Sequence, residues 1–161
     1  PCGYLGSKQK RCVCKASDID RYARKLSGPI MDRIDMWVPV SHIDYETLSG
    51  GVVSEASEVV HKRVLKARDF AIQRFRERGD VHIIKNKDMR AKDIDKHILL
   101  SEPCKCLMKK LSTTYMLSPR AYHRVLRLAR TIADTRQSNE ILEGDIREAF
   151  QYRPKLYQDK I

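Results

Sequence analysis

The chain has 161 residues, with 32 lysines and arginines against 21 aspartates and glutamates, which gives a formal net charge of +11. Its hydrophobic share of 42% and charged share of 33% are typical of a folded globular chain rather than a disordered one. No run approaches the roughly 18 apolar residues that a membrane span needs, so no membrane partner is expected. The positive excess favours a polyanionic partner.

The cysteines point to a reducing compartment, and we expect a cytoplasmic protein. There are five of them, and an odd number does not form a closed disulfide framework. Cys2, Cys12 and Cys14 lie in a predicted basic loop over residues 1–16. Structural zinc usually takes four ligands, often from closely spaced cysteines. These three thiols are therefore candidate zinc ligands, with a fourth position left to His42 or to a group outside the chain.

The next segment predicts a short helix followed by a strand. The helix is expected over Asp18–Leu26 and ends at Gly28-Pro29. Apolar and polar side chains then alternate over residues 30–40, and this period of two predicts a strand with one buried face. Pro39 limits the strand to a sheet edge or marks its end. Since a strand needs a partner, it either pairs with the connector Gly79–Lys87 or belongs to a sheet whose other strands lie N-terminal to this sequence, and we favour the second.

Beyond residue 54 the pattern predicts a helical bundle. A long helix from Ser54 or Ser57 to about Gly79 has a single apolar stripe, formed by Val60, Val64, Ala67, Ala71 and Phe75. Shorter helices are predicted from Asp88 to Leu100, from Ser101 past Tyr115, from Ser118, with a proline next, to about Thr135, and from Glu143 to Tyr152. The helix from Ser101 has an apolar face with Cys104 as an expected core thiol, formed by Cys104, Leu107, Met108, Leu111 and Tyr115. The last helix is expected to bury Ile146, Ala149 and Phe150. The predicted fold class is therefore mainly α, with one strand before the bundle.

Arg33 is a candidate phosphate ligand, because it lies between Asp32 and Asp35 at the predicted helix-to-strand junction. Its planar guanidinium and fixed positive charge suit the stabilisation of a phosphoryl-transfer transition state. The structural alternative is a salt bridge from Arg33 to one of the two aspartates.

Three arginines mark a second basic feature on the helix that starts at Ser118. Arg120, Arg124 and Arg127 follow i, i+4 and i+7 spacing. They lie on a different face from the predicted core stripe, which consists of Ala121, Val125, Leu128 and Ile132. Arg120 falls in the first turn, where the helix dipole opposes a positive charge and the free N–H groups suit an anion. The alternative is an ordinary solvated basic face.

Four stretches resemble one known family. The run Ser118–Asp134 resembles the last lid helix of magnesium-chelatase-like AAA+ ATPases, in particular that of the ComM/YifB competence-protein branch. The cysteine segment, the junction Leu26–Asp35 and the ending Glu148–Arg153 agree with the same branch. Together they span most of the chain, although residues 41–112 match only loosely.

The resemblance implies a role for each candidate residue. Residues 1–16 would be a cysteine-bearing loop, 17–53 the end of an AAA+ core, and 54–161 a helical AAA+ lid bundle. Arg33 would be an arginine finger that reaches the γ-phosphate bound by a neighbouring subunit of a ring, expected to be a hexamer. Arg120 would be the sensor-two arginine, and the full-length protein would use ATP and Mg²⁺. Arg124 and Arg127 would then be free to contact DNA or a neighbouring subunit.

No phosphate-binding G-x-x-x-x-G-K-[ST] loop occurs in the sequence, so we expect this chain alone not to hydrolyse ATP. Three functions therefore stay open. The first is the C-terminal part of a ring-forming ATPase that remodels DNA, for example by branch migration. The second is a basic helical nucleic-acid-binding module with no role in ATP turnover. The third is a magnesium-chelatase motor subunit.

Overall fold

The computed structural model describes residues 1–7, 10–40, 45, 49–50 and 54–153. The chain divides into two compact units. The N-terminal unit comprises Pro1–Ile34 and Val38–Ser54, and the helical unit comprises Asp35–Trp37 and Glu55–Ile161. None of the described helices is both long enough and apolar enough to cross a bilayer.

The N-terminal unit contains two short helices in its described part. Helix α1 spans Ala16–Ala23, so the predicted helix is confirmed, although it begins two residues earlier and ends three residues earlier than predicted. Helix α2 is a single turn over Gly28–Met31 with Pro29 at its start, a position where the missing N–H of proline costs nothing. Helix α1 buries none of its residues, and Met31 is the buried hydrophobic residue of α2.

The predicted strand over residues 30–40 does not form. Its start belongs to α2, and residues 34–40 have no strand pairing. The expected buried face is open to solvent, since Val38 is 63% and Val40 90% exposed. A strand is stable only when its N–H and C=O groups pair with a neighbour, and the described residues offer no partner strand. The alternating pattern therefore gave a wrong prediction for this chain.

The helical unit places one helix at its centre. Its elements are α3 (Ser57–Glu77), a 3₁₀ turn (Asn86–Asp88), α4 (Ala91–His97), α5 (Glu102–Thr114), α6 (Pro119–Thr135) and α7 (Glu143–Gln151). Helix α6 packs against α3, α4, α7 and the 3₁₀ turn, and α5 packs against α7. The mainly α fold class is confirmed.

The predicted apolar stripes are confirmed for α5 and α7 and only half confirmed for α3. Cys104 is a buried core thiol on α5, as predicted, and its S–H donates to the Ile141 carbonyl oxygen at 3.3 Å. On α3, Phe75 is fully buried, but Val60 and Val64 are 37% and 42% exposed. A pocket of about 340 Å³ opens beside Val64, where the stripe predicted a packing partner.

Candidate functional sites

The start of α6 presents Arg120 to solvent. The Ser118 side chain caps the helix by accepting a hydrogen bond from the Ala121 N–H at 3.1 Å, and Pro119 occupies the first helical position. Arg120 comes next and is exposed, and the first turn contains no acidic residue. Arg120 forms no ion pair with any residue that the structure describes. Its guanidinium is therefore available to an anion from outside the chain.

Arg124 and Arg127 meet at a basic pocket of about 310 Å³, which we call the α6 pocket. Asp35 and Lys87 also line it, together with Met36, Leu128 and Thr131. Arg124 donates from Nη1 to the Asp35 carboxylate, and the Arg124 side chain is only 17% exposed. Three cations thus face one carboxylate, and this excess of positive charge suits a phosphate group.

Two donors of the α6 pocket have no partner within the described part of the chain. The Nε atoms of Arg124 and Arg127 are buried and make no hydrogen bond there. A buried N–H without a partner is costly, so such groups favour a ligand that can accept from them.

Arg33 lies in the turn that follows α2. Its backbone N–H donates to the Ile30 carbonyl oxygen at 2.9 Å, and its side chain is exposed. The alternative salt bridge from Arg33 to Asp35 is not formed, because Asp35 pairs with Arg124 instead. Among the described residues no ion pair engages Arg33.

A buried polar network in the helical unit escaped the sequence analysis. The Asp134 carboxylate accepts from Arg74 Nε at 3.3 Å and from Arg130 Nε at 3.1 Å. Asn86 donates to Asp134 at 2.6 Å and accepts from Arg74 Nη2 at 2.7 Å. Burial lowers the pKa of Arg130, while the Asp134 charge opposes that shift. The network joins α3 and α6 to the 3₁₀ turn, and Lys87 of that turn lines the α6 pocket.

One signal could have revealed this network. Arg130 and Asp134 are four residues apart on α6, flanked by the fully buried Ala129 and Ala133. Opposite charges at i, i+4 on an otherwise apolar face indicate a buried ion pair rather than a solvated one.

The three predicted zinc ligands come together in the N-terminal unit. The sulfur atoms of Cys2, Cys12 and Cys14 all lie within 4.8 Å of one another. Cys2 Sγ and Cys12 Sγ are 3.6 Å apart, and the Cys2 N–H donates to Cys14 Sγ at 3.0 Å. The other proposed ligand, His42, lies outside the described residues.

The thiols of this cluster differ in acidity. A hydrogen bond from the Tyr4 backbone, followed by bonds from the Cys14 side chain and the Val13 backbone, lowers the pKa of Cys2 to about 6. A backbone hydrogen bond from Cys14 acts to lower the pKa of Cys12, but the neighbouring sulfurs and burial outweigh it and raise that pKa. Cys2 is therefore the more acidic of these two thiols.

Comparison with known families identifies the family to which this chain belongs. Residues 54–153 match the model described as magnesium chelatase, subunit ChlI C-terminal, and residues 1–48 match the model for magnesium chelatase, subunit ChlI. The chain belongs to the magnesium chelatase ChlI family. The resemblance inferred from the α6 sequence and the cysteine segment is thus confirmed.

Individual relatives agree with this membership. The competence protein ComM of Haemophilus influenzae is 33% identical over 136 residues, which cover 84% of this chain and 25% of that protein. The uncharacterised protein YifB of Escherichia coli is 30% identical over 154 residues, which cover 95% of this chain and 29% of YifB. The chain thus spans less than a third of the length of these relatives.

Proposed function

We propose that the chain acts as the C-terminal part of a ring-forming AAA+ ATPase, a hexamer, that moves on or remodels DNA. In the full-length protein, ATP and Mg²⁺ would bind at subunit interfaces, and Arg33 and Arg120 would contact the nucleotide phosphates. The observation that carries the proposal is Arg120, an exposed arginine in the first turn of a capped helix, in a member of the chelatase family.

Arg120 is electrostatically misplaced unless it binds an anion. A positive charge in the first turn of a helix costs about 0.3–1 kcal/mol, because it faces the positive end of the dipole. The first turn of α6 supplies no carboxylate to offset that cost. A phosphate that accepts hydrogen bonds from the Arg120 guanidinium would offset that cost.

Arg33 has the exposure that a residue reaching toward a neighbouring subunit needs. It follows a single helical turn, and within the described part of the N-terminal unit no carboxylate holds it. A guanidinium supplied from an adjacent subunit neutralises the charge that develops on the transferred phosphoryl group, and its removal typically costs 10³–10⁵ in kcat.

The test compares three variants of the full-length protein. Arg33→Ala should lower kcat for ATP by about 10³-fold or more while nucleotide affinity changes little. Arg120→Ala should weaken nucleotide affinity. Arg24→Ala is the matched control, because Arg24 is also exposed, in the turn directly after α1, and should leave both quantities unchanged. If Arg33→Ala hydrolysed ATP as fast as the wild type, the proposed role of Arg33 as an arginine finger would be contradicted.

The α6 pocket is the proposed DNA contact. Lys87 and Arg127 present positive charge there, and neither is paired to a carboxylate in the described structure. Each phosphate contact releases counterions, so DNA affinity should fall steeply with salt, and Arg127→Ala should reduce the salt slope by about one. Arg147→Ala on α7, where Arg147 pairs with Glu143, is the control and should leave the slope unchanged.

The chelatase motor is the second candidate, and the description of the matching family models favours it. The two functions differ in their response to DNA. A DNA motor should show ATP hydrolysis that DNA stimulates and that Arg127→Ala uncouples from DNA. ATP hydrolysis that is indifferent to DNA, together with absent DNA binding, would favour the chelatase motor. A nucleic-acid-binding module with no ATP role predicts DNA binding by a full-length protein that lacks ATP turnover.

A further inference from the structure

We propose that Cys2, Cys12 and Cys14 bind a single zinc ion through their three sulfur atoms, in a site independent of the nucleotide chemistry above. Two sulfurs bound to one tetrahedral zinc at about 2.3 Å lie about 3.8 Å apart. Cys2 Sγ and Cys12 Sγ are 3.6 Å apart, and all three sulfurs lie within 4.8 Å of one another. The Cys2–Cys12 spacing is therefore close to that of two ligands on one ion, and the Cys14 sulfur lies near enough to join them after a small movement.

The backbone around the cluster supports thiolates. Gly3 has φ +82°, a conformation that side-chain-bearing residues rarely adopt, and this turn directly precedes Tyr4, whose backbone group hydrogen-bonds to Cys2. The Cys2 N–H in turn donates to Cys14 Sγ. Hydrogen bonds to ligand atoms of this kind orient metal ligands and stabilise their charge.

Charge balance also favours a cation at the centre. Three thiolates within 4.8 Å repel one another, so the thiols cannot all ionise unless a positive charge lies between them. Three thiolates and one Zn²⁺ leave a single negative charge, in a loop that carries Lys10, Arg11 and Lys15.

The donor set selects the metal. Magnesium prefers oxygen ligands in an octahedral arrangement, so the Mg²⁺ that accompanies ATP does not fit three sulfurs. Soft thiolates favour zinc, which accepts three protein ligands and leaves a fourth position for water or another donor. A disulfide is a different state, since it needs two sulfurs at about 2.05 Å.

The ion would cross-link the cysteine-bearing loop at the start of the N-terminal unit. Coordination joins Cys2 to Cys12, ten residues further on, and Cys14 lies two residues before α1 begins at Ala16. Segments of this size do not bury enough apolar surface to order themselves, and a structural metal commonly takes that role.

The experiment measures metal bound to the protein purified under reducing conditions without added chelator. Elemental analysis should give about one zinc per chain for the wild type, and Cys12→Ser and Cys14→Ser should lose most of it. Cys106→Ser is the matched control, because Cys106 is an exposed cysteine on α5 outside the cluster, and it should retain the zinc. Far-ultraviolet circular dichroism of each variant checks that the helices remain folded.

Cobalt provides a second readout that does not depend on the metal carried through purification. Co²⁺ added to the reduced, metal-free wild type should produce the visible ligand-field bands of a tetrahedral site and thiolate-to-cobalt charge transfer. Zinc should displace it, and Cys12→Ser should show neither signal. The proposal is overturned if the reduced wild type binds no more zinc or cobalt than Cys12→Ser. It is equally overturned if iron, rather than zinc, is the bound metal. Neither result would affect the ATPase variants, so this test and that of the proposed function fail separately.

Discussion

The two units of this molecule are stabilised in different ways. The helical unit has a continuous apolar cluster built around α6, into which the Asp134 network is set. In the described part of the N-terminal unit, α1 buries nothing and Met31 is the buried hydrophobic residue. The comparison shows that one unit has an apolar core of its own, whereas the described part of the other buries few apolar side chains. The phosphate-binding candidates are divided between them, with Arg33 in the first unit and Arg120 in the second.

The largest expected effect is the loss of stability on removal of Asp134, the buried carboxylate of the bundle. Asp134→Ala leaves Arg74 and Arg130 buried without their carboxylate, and breaking such a pair costs about 3–5 kcal/mol. Urea denaturation of the variant should show that loss in the free energy of unfolding. Asp69→Ala, at an exposed position of α3, is the control and should stay within about 0.5 kcal/mol. A loss at Asp134 no larger than that of the control would show that the network is not a determinant of bundle stability.

A smaller loss of stability, which depends on pH, is expected from the protonation of His97. Burial is the main cause that lowers its pKa below the ordinary 6.5, and Asp80, whose carboxylate lies 2.6 Å from His97 Nε2, only partly opposes it. The Nδ1 atom is buried with no partner in the described structure, so a second proton there would be unsatisfied.

The sign of the pH effect follows from the lowered pKa. The unfolded chain protonates His97 at a higher pH than the folded chain does. The contribution of His97 to the free energy of unfolding is therefore complete above about pH 6.5 and is lost as the pH falls through the folded pKa. Asp80 acts in the same direction at lower pH, because hydrogen bonds from Lys96 and then His97 lower its pKa. Thermal unfolding should show this decline, and His97→Gln should flatten it between pH 7 and the folded pKa. An unchanged pH profile in His97→Gln would contradict the assignment.

The smallest global effect should follow removal of metal. Chelation of the zinc-loaded protein should speed amide hydrogen exchange over residues 1–15, while exchange in α5, α6 and α7 stays unchanged. This outcome would sharpen the comparison, because it shows a ligand-dependent N-terminal unit beside a bundle that is stable without it. Equal loss of protection in the core helices would show instead that the two units do not differ in this way.

The sequence predicted the bundle well because its helices carry a strong period and clear end signals. The α5 stripe and the Ser118-Pro119 start of α6 are examples, since a capping serine and a proline at the first position fix the boundary. The strand prediction failed because alternation alone cannot supply a hydrogen-bonding partner. The prediction that the first residues of the α3 stripe are buried was wrong for a related reason. Periodicity identifies the apolar face of a helix, but it does not show whether another element covers Val60.

The sequence identified the residues of the candidate sites but not how those residues are arranged in space. Spacing identified Arg120, Arg124 and Arg127 as one face, yet the pairing of Arg124 with Asp35 joins residues 89 positions apart. The cysteine cluster was suggested by three thiols in one loop, and its geometry depends on backbone turns such as that at Gly3. The full Asp134 network is not apparent in the sequence, because Arg74 and Asn86 lie 60 and 48 positions away from Asp134 along the chain.

The most direct measurement is steady-state ATP hydrolysis by the full-length protein in three forms: wild type, Arg33→Ala and Arg24→Ala. We predict that Arg33→Ala loses about 10³-fold or more in kcat and still binds nucleotide, while Arg24→Ala behaves as the wild type. Wild-type kcat in Arg33→Ala, or an equal loss in both variants, would contradict the account.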